Sequence, residues 1–325
     1  MIWLTWRQHR IEALGTVIAL GVVGTFLLIS GLPMRSVFDA SVASCLSRSG
    51  DAYLQHGCQG ILRDFQNQPA LTLLPYLNFL PGLLGVFVGA PLVAREVERG
   101  THRLVWTQGI TRLRWISVKV ALLAAGSAAA AIVFTAAMSW WRGPLDHVQG
   151  RLLPDGFDFE GIAPVAYALY AFALGTAIGT VVRRATPAMA LTLLGFLALR
   201  FPVEFLLRPK YVTPVTSTST LTPATSDPRL NGAGDWILNA GLMDHAGHRL
   251  SEGELAQLYN QAAAANAAKG GVDLYIRSHG YLSWMDYQPA ARFWEFQGIE
   301  AAIFVGLAVV LLAFTVWWVR SRSVG

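Results

Sequence analysis

The chain has 325 residues, of which 54% are hydrophobic and only 14% charged, with a formal net charge of +5. Soluble domains carry roughly 25% charged residues, and here the apolar residues gather in blocks of about twenty, the length that crosses a hydrocarbon core ~30 Å thick. Composition therefore excludes an ordinary water-soluble fold and points to a chain that crosses a membrane several times.

In chain order, Ile2, Trp3 and Trp6 alternate with Arg7, His9 and Arg10, which predicts a short amphipathic helix on the inner leaflet with its tryptophans in lipid. Membrane spans are predicted at residues 13–32, 73–94, 116–139, 162–182, 186–207 and 298–319. The first is read as a retained anchor, because its apolar core is long and Ser30-Gly31-Leu32-Pro33 makes a poor cleavage site. The second contains Pro75, Pro81 and Pro91 and is expected to be kinked or broken, which neighbouring helices tolerate by satisfying the freed carbonyls. Only Arg183, Arg184 and Ala185 separate the fourth and fifth, so these should form a tight hairpin. Gly85 with Gly89 and Gly175 with Gly179 have the spacing that lets helix backbones approach, and both pairs are read as packing surfaces.

The basic residues set the expected orientation, since Lys and Arg near span ends stay cytoplasmic. Arg7, Arg10, Arg95, Arg99, Arg103, Arg112, Arg114, Lys119, Arg183, Arg184, Arg320 and Arg322 all fall on one side. The segments predicted opposite, 33–72 and 140–161, are poorer in them. The expected fold class is thus all-α: a polytopic membrane protein with six transmembrane helices, both termini cytoplasmic, and a large extracytoplasmic segment between helices five and six. Residues 1–207 would form the membrane domain, 208–297 the extracytoplasmic segment, and 298–325 the sixth helix and tail. The net positive charge is then a topology signal and asks for membrane lipid as a partner, not for nucleic acid.

Cys45 and Cys58 fall in the first outer loop, where the compartment permits oxidation. A bridge there would contribute ~3 kcal/mol by chain-entropy reasoning; two unpaired small residues is the alternative. In the long segment, residues 213–228 are rich in Thr, Ser and Pro, which favours an extended linker. Ser251 and Glu254 have capping-box spacing ahead of a helix that should stop at Gly270-Gly271. Asp244, His245 and His248 cluster just before it, but no spacing supplies further ligands, so they are read as a solvated turn and no metal site is expected. Tyr281, Trp284, Tyr287, Phe293, Trp294 and Phe296 are read as an aromatic belt at the membrane boundary.

Ionisable residues inside spans are the stronger functional signal. Arg200, Glu204 and Glu300 qualify; Arg200 and Glu204 are four apart on one helical face and can pair, and all three are expected near the outer ends, within snorkelling reach of water. The predicted spans contain no histidine or aspartate, so neither a His-Glu-x-x-His site nor an intramembrane aspartate pair can be assembled, and no catalytic residues are assigned. No Gly-x-x-x-x-Gly-Lys-[Ser/Thr] phosphate loop occurs, and the cytoplasmic segments are too short for a nucleotide-binding domain.

The most informative stretch joins the second and third spans. It reads Glu96-x-x-x-Gly100-Thr101, then Thr107-Gln108-Gly109-x-Thr111-Arg112, then Trp115-x-x-x-Lys119. Together with the Thr5-Trp6-Arg7-Gln8-His9-Arg10 opening and Gln288-Pro289-Ala290-Ala291-Arg292-Phe293-Trp294-Glu295-Phe296-Gln297 before the sixth span, it resembles the permease subunits of type-two ABC exporters, actinobacterial ones in particular. The resemblance covers the whole chain in topology and these three patches in residue detail. It implies a bacterial plasma-membrane exporter subunit with no ATPase site of its own, paired with a second permease copy or a homologous permease. It further implies that a separate ABC-type ATPase, which would bind the ATP and Mg, docks on the loop at residues 95–115. The contact candidates carried over are Glu96, Glu98, Arg99, Gly100, Thr101, Gln108, Thr111 and Arg112. The alternative from another class is a membrane sensor or anchor that transports nothing and binds through its outer segment.

Overall fold

The structure is a computed structural model, and it describes residues 2–47, 58–100, 111–220, 234–265 and 271–321. Six helical stretches in it are long and apolar enough to cross a membrane: Trp6–Leu46, Gly60–Glu98, Arg112–Gln149, Ala163–Val182, Ala185–Lys210 and Ala290–Ser321.

Helix α1 runs unbroken from Ile2 to Val37 and continues through a π turn at Phe38–Val42 into Ala43–Leu46. The amphipathic N-terminal segment expected as a separate element is therefore its first turns. Helix α2, Cys58–Gln66, returns beneath it and is tied to it by the Cys45–Cys58 bridge, with Cα atoms 5.6 Å apart. Both cysteines are buried.

The second span is broken as its prolines require: a 3₁₀ turn at Pro69–Leu73, a helical turn at Leu74–Leu77, helix α3 at Leu80–Leu84, a π turn at Gly85–Gly89, and helix α4 at Ala90–Glu98. Helix α5, Arg112–Gln149, extends ten residues beyond the predicted span. Much of what was expected as an outer loop after residue 139 is helix, because Trp141, Leu145 and Val148 keep one apolar face buried against α1 and α2. Helix α6 is Ala163–Val182 and helix α7 Ala185–Pro202, continued by a π turn at Val203–Leu207. Arg183 closes the hairpin between them in the left-handed conformation, φ 60°.

Helix α6 is the centre of the bundle. Its small residues meet the glycine stripe of the second span backbone to backbone: a Cβ on Gly175 would strike the carbonyl oxygen of Gly85, one on Gly179 that of Ala90, and one on Gly89 that of Phe172. Such close approach is how helices gain packing where water offers no hydrophobic drive. Helix α10, Phe293–Ser321, lies along α6, with Phe304 against Tyr167 and Tyr170 and with Phe296 and Ala308 in the same apolar cluster.

Between α7 and α10 the chain forms a cap. Strands β1 (Val215–Thr220), β2 (Trp236–Met243) and β3 (Leu282–Gln288) make an antiparallel sheet in the order β1-β3-β2, with Val215 opposite Tyr287 and Thr220 opposite Leu282, and a bulge at Ile237/Asn239. Two corrections follow. Residues 215–220 form an edge strand where a linker was expected, their polar side chains matching a sheet face that stays wet; residues 221–228 of that expected linker lie outside the described residues. The supposed aromatic belt is mostly interior: Trp284 is buried in the central strand under the Arg249 guanidinium, Phe293 and Phe296 are buried, and Trp294 is exposed. Helix α8, Glu252–Ala264, begins with the Ser251/Glu254 capping box, and helix α9 is Gly271–Ser278. Asp286 holds the cap together by accepting from Arg249 and from Thr216 at 2.6 Å, and those bonds hold its carboxyl below the usual range. Asp244 accepts from the backbone N–H of Ala246 and His248, each at 2.9 Å, forming the polar turn expected there.

Candidate functional site

The two ends of the bundle carry different chemistry. One, the loop end, gathers the start of α1, the end of α4, the start of α5 and the α6–α7 turn. Here Glu12 accepts from Arg95 Nη1 at 2.7 Å, and Lys119, 1% exposed, donates to the buried Glu96. Lys119, one of the cations expected at the inner leaflet, is interior, because about two turns into α5 its side chain meets the carboxylate that α4 turns inward, and it lies 5.1 Å from the Trp115 ring.

The residues carried over as ATPase contacts divide on this geometry. Glu96 faces Lys119. Glu98 Oε2 accepts from the backbone N–H of Ala185 at 3.1 Å, which satisfies an orphan donor at the start of α7. Gly100, φ +69°, ends α4, its N–H reaching the Val97 carbonyl. Thr111 caps α5, its hydroxyl accepting from Arg114 N. Arg99 is exposed and Arg112 half-buried. Thr101 and Gln108 lie outside the described residues.

The other, cap end holds a buried ion network that the sequence reveals only in part. Arg208 donates through Nε to Glu300 Oε2 at 2.8 Å and through Nη2 to Glu300 Oε1 at 2.8 Å and Asp158 Oδ1 at 2.6 Å. The Tyr167 hydroxyl donates to Glu300 Oε1 at 2.6 Å. Arg200 Nη2 lies 2.5 Å from Asp158 Oδ1, and its Nη1 lies 3.4 Å from Glu204 and 3.5 Å from Glu300. Asn78 donates to the other Asp158 oxygen at 3.2 Å. Burial alone would raise the Asp158 carboxyl, but Arg208 and Arg200 outweigh it and hold it below the usual range.

Arg200, Glu204 and Glu300 are respectively 3%, 8% and 0% exposed, so the expectation that they snorkel to water is corrected: they turn inward onto one another. The π turn at Val203–Leu207 continues that inward face to Arg208, while Phe201, Phe205, Leu206 and Leu207 point out. Gln297 adds a neutral clamp, accepting from the N–H groups of Ile162 and Ala163 at 3.0 and 2.8 Å and donating to the Phe157 carbonyl at 3.0 Å. Sequence reasoning missed Asp158, Tyr167 and Arg208. The available signal was Arg208 standing four beyond Glu204, as Glu204 stands four beyond Arg200, in a helix that does not end where its hydropathy does.

A broken second span packed by glycines on the fourth, a hairpin between fourth and fifth, and polar contacts at both bundle ends are the frame on which comparison with known proteins can be placed. The family described as ABC-2 membrane transporter related matches residues 17–208, more than half of the chain. The chain belongs to that family. The match takes in the first five spans, the loop end and, at its limit, Arg208. No curated protein and no solved structure matches the chain. The protein is therefore a multi-pass ABC-2 membrane component of permease type, the membrane part of such a system and not its ATPase, and the bacterial plasma membrane is the usual place for the family. Membership implies association with an ABC ATPase in general.

Proposed function

We propose that this chain forms the translocation pathway of an ATP-driven exporter, with a second permease copy or homologue beside it and a separate ATPase, holding ATP and Mg, docked on the loop at residues 95–115. In this reading the loop end and both termini are cytoplasmic and the 208–297 cap is extracytoplasmic, as the arginine distribution asks. The observation that carries it is the way the loop is anchored: Glu96 to Lys119 and Glu98 to Ala185 tie the end of α4 to α5 and to the α6–α7 turn. A rigid-body push delivered there by a closing ATPase reaches three spans at once, which is the requirement for switching between inward- and outward-open states.

Because Glu96 and Glu98 have partners within the chain, the described cation best placed to reach an ATPase is Arg99, exposed just beyond the end of α4, and the partner surface should present carboxylates. Reversing that charge, Arg99→Glu, is expected to lower recovery of the ATPase in pull-downs from native membranes by about ten-fold or more, as loss of a partly desolvated charge pair would. A cap control, Glu252→Lys with Gln257→Lys, should leave recovery unchanged. Normal recovery with the loop variant would refute docking at this loop, and an ATPase absent even from wild-type pull-downs would favour the sensor or anchor alternative.

A further inference from the structure

The cap-end network is unbalanced. Asp158, Glu204 and Glu300 face two guanidinium groups, Arg200 and Arg208, so with every group ionised the cluster carries one surplus negative charge. Arg208 commits its Nε and Nη2 to Glu300 and Asp158, and Asp158 also takes the near guanidinium nitrogen of Arg200. The surplus therefore rests on Glu204. Among the described residues Glu204 accepts no hydrogen bond, and its nearest opposite charge is Arg200 at 3.4 Å. At 8% exposed its side chain is largely enclosed, yet its oxygens are not among the buried unpartnered atoms, which leaves them open to a partner that enters from outside.

Glu204 lines a cavity of about 210 Å³ between the second and fifth spans, together with Asn78, Phe79, Asp155, Phe196 and Phe201. The cavity's contents follow from its walls. An anion is disfavoured, because the nitrogens of Arg200, the guanidinium beside it, are buried beneath the cavity wall and lie against Asp158, and the remaining charge is negative. An inorganic divalent ion would need a shell of oxygen ligands, and no group of three ligating side chains suited to a metal occurs among the described residues. Phenyl rings beside a carboxylate do suit a cation with apolar substituents, through apolar contact, attraction to the rings and direct charge pairing.

We infer that this pocket is a binding site for a monovalent organic cation with an aromatic or aliphatic body, its charge held by Glu204 and its body by the phenylalanines, with Asp155 at the exposed rim adding a weaker attraction. The inference concerns binding and stands apart from the proposed coupling to an ATPase, so either can fail alone.

The test uses the full chain in zwitterionic lipid nanodiscs and radiolabelled benzyltrimethylammonium as the probe. Saturable binding at one site per chain is expected, displaced by unlabelled cation but not by its neutral carbon isostere neopentylbenzene or by benzenesulfonate. Glu204→Gln should weaken binding by about ten-fold without lowering the melting temperature, since it removes the surplus charge and leaves the Arg208 contacts. Leu197 also lines the cavity, and Leu197→Trp, which fills it and leaves the charges alone, should weaken binding similarly. Absence of saturable binding, equal displacement by neopentylbenzene, or unaltered affinity in either variant would overturn the proposal.

Discussion

The first and fourth spans teach opposite lessons about the same property. The most apolar window of Trp6–Leu46 has a mean hydropathy of 2.2 and only 6% of it is buried in the protein, whereas that of Ala163–Val182 has 1.8 and is 67% buried. The more hydrophobic helix is the one left outside. Hydropathy reports that a segment belongs in a membrane; side-chain size reports where it stands within the protein. Helix α1 displays Leu14, Val17, Ile18, Val22, Leu28 and Ile29 outward, and its Gly15, Gly21 and Gly24 have nothing within 4 Å to pack on. Half of helix α6 is Ala, Gly or Thr, so the backbone of the second span approaches it closely.

The comparison can be broken hardest at the polar residues that lock the inner helices. Arg208→Met leaves Asp158, Glu204 and Glu300 facing a single guanidinium, and is expected to destabilise the protein by about 3–5 kcal/mol, the usual range for removing one partner of a buried pair. Loss of folded protein in thermal unfolding would show it, and near-wild-type stability would mean that the network is not desolvated as described. Next comes packing. Gly175→Leu should cost about 3 kcal/mol, because the obstacle is the backbone of Gly85 and Ala90, which cannot rotate away. Val22→Ala on the outward face of α1 should stay within about 0.5 kcal/mol. Comparable losses in the two helices would erase the distinction between a central and a peripheral span.

Much of this architecture was legible because the bilayer makes its demands locally: twenty apolar residues, arginines at one set of ends, prolines in the span that breaks, and a three-residue turn that can only be a hairpin. The glycine pairs at 85/89 and 175/179 were also legible as packing surfaces, though nothing in their spacing said that they face each other. The cap was harder. Val215–Thr220 is too polar to look like a strand, and the aromatic residues of Leu282–Gln288 were read as a lipid boundary when they stack and hydrogen-bond within a sheet. The ion network was hardest, since Asn78, Asp158, Tyr167, Arg200, Arg208 and Glu300 come from separate parts of the chain and meet only through the tertiary fold; Arg200 and Glu204, four apart, were the part that one helix could reveal. The loop candidates shared that problem in reverse. Glu96 and Glu98 look free in sequence, and only the positions of Lys119 and Ala185 show that they have partners.

In the proposed orientation the two ends of the bundle face opposite compartments, with the arginine-rich loop end inside the cell and the sheet-bearing cap outside. With Cys45 and Cys58 bridged, single cysteines can be placed at the exposed positions Arg99→Cys and Ser219→Cys and probed in intact cells with a membrane-impermeant maleimide. Ser219→Cys is expected to be labelled from outside and Arg99→Cys only after the membrane is opened; labelling of Arg99→Cys in intact cells, with Ser219→Cys protected, would contradict this orientation.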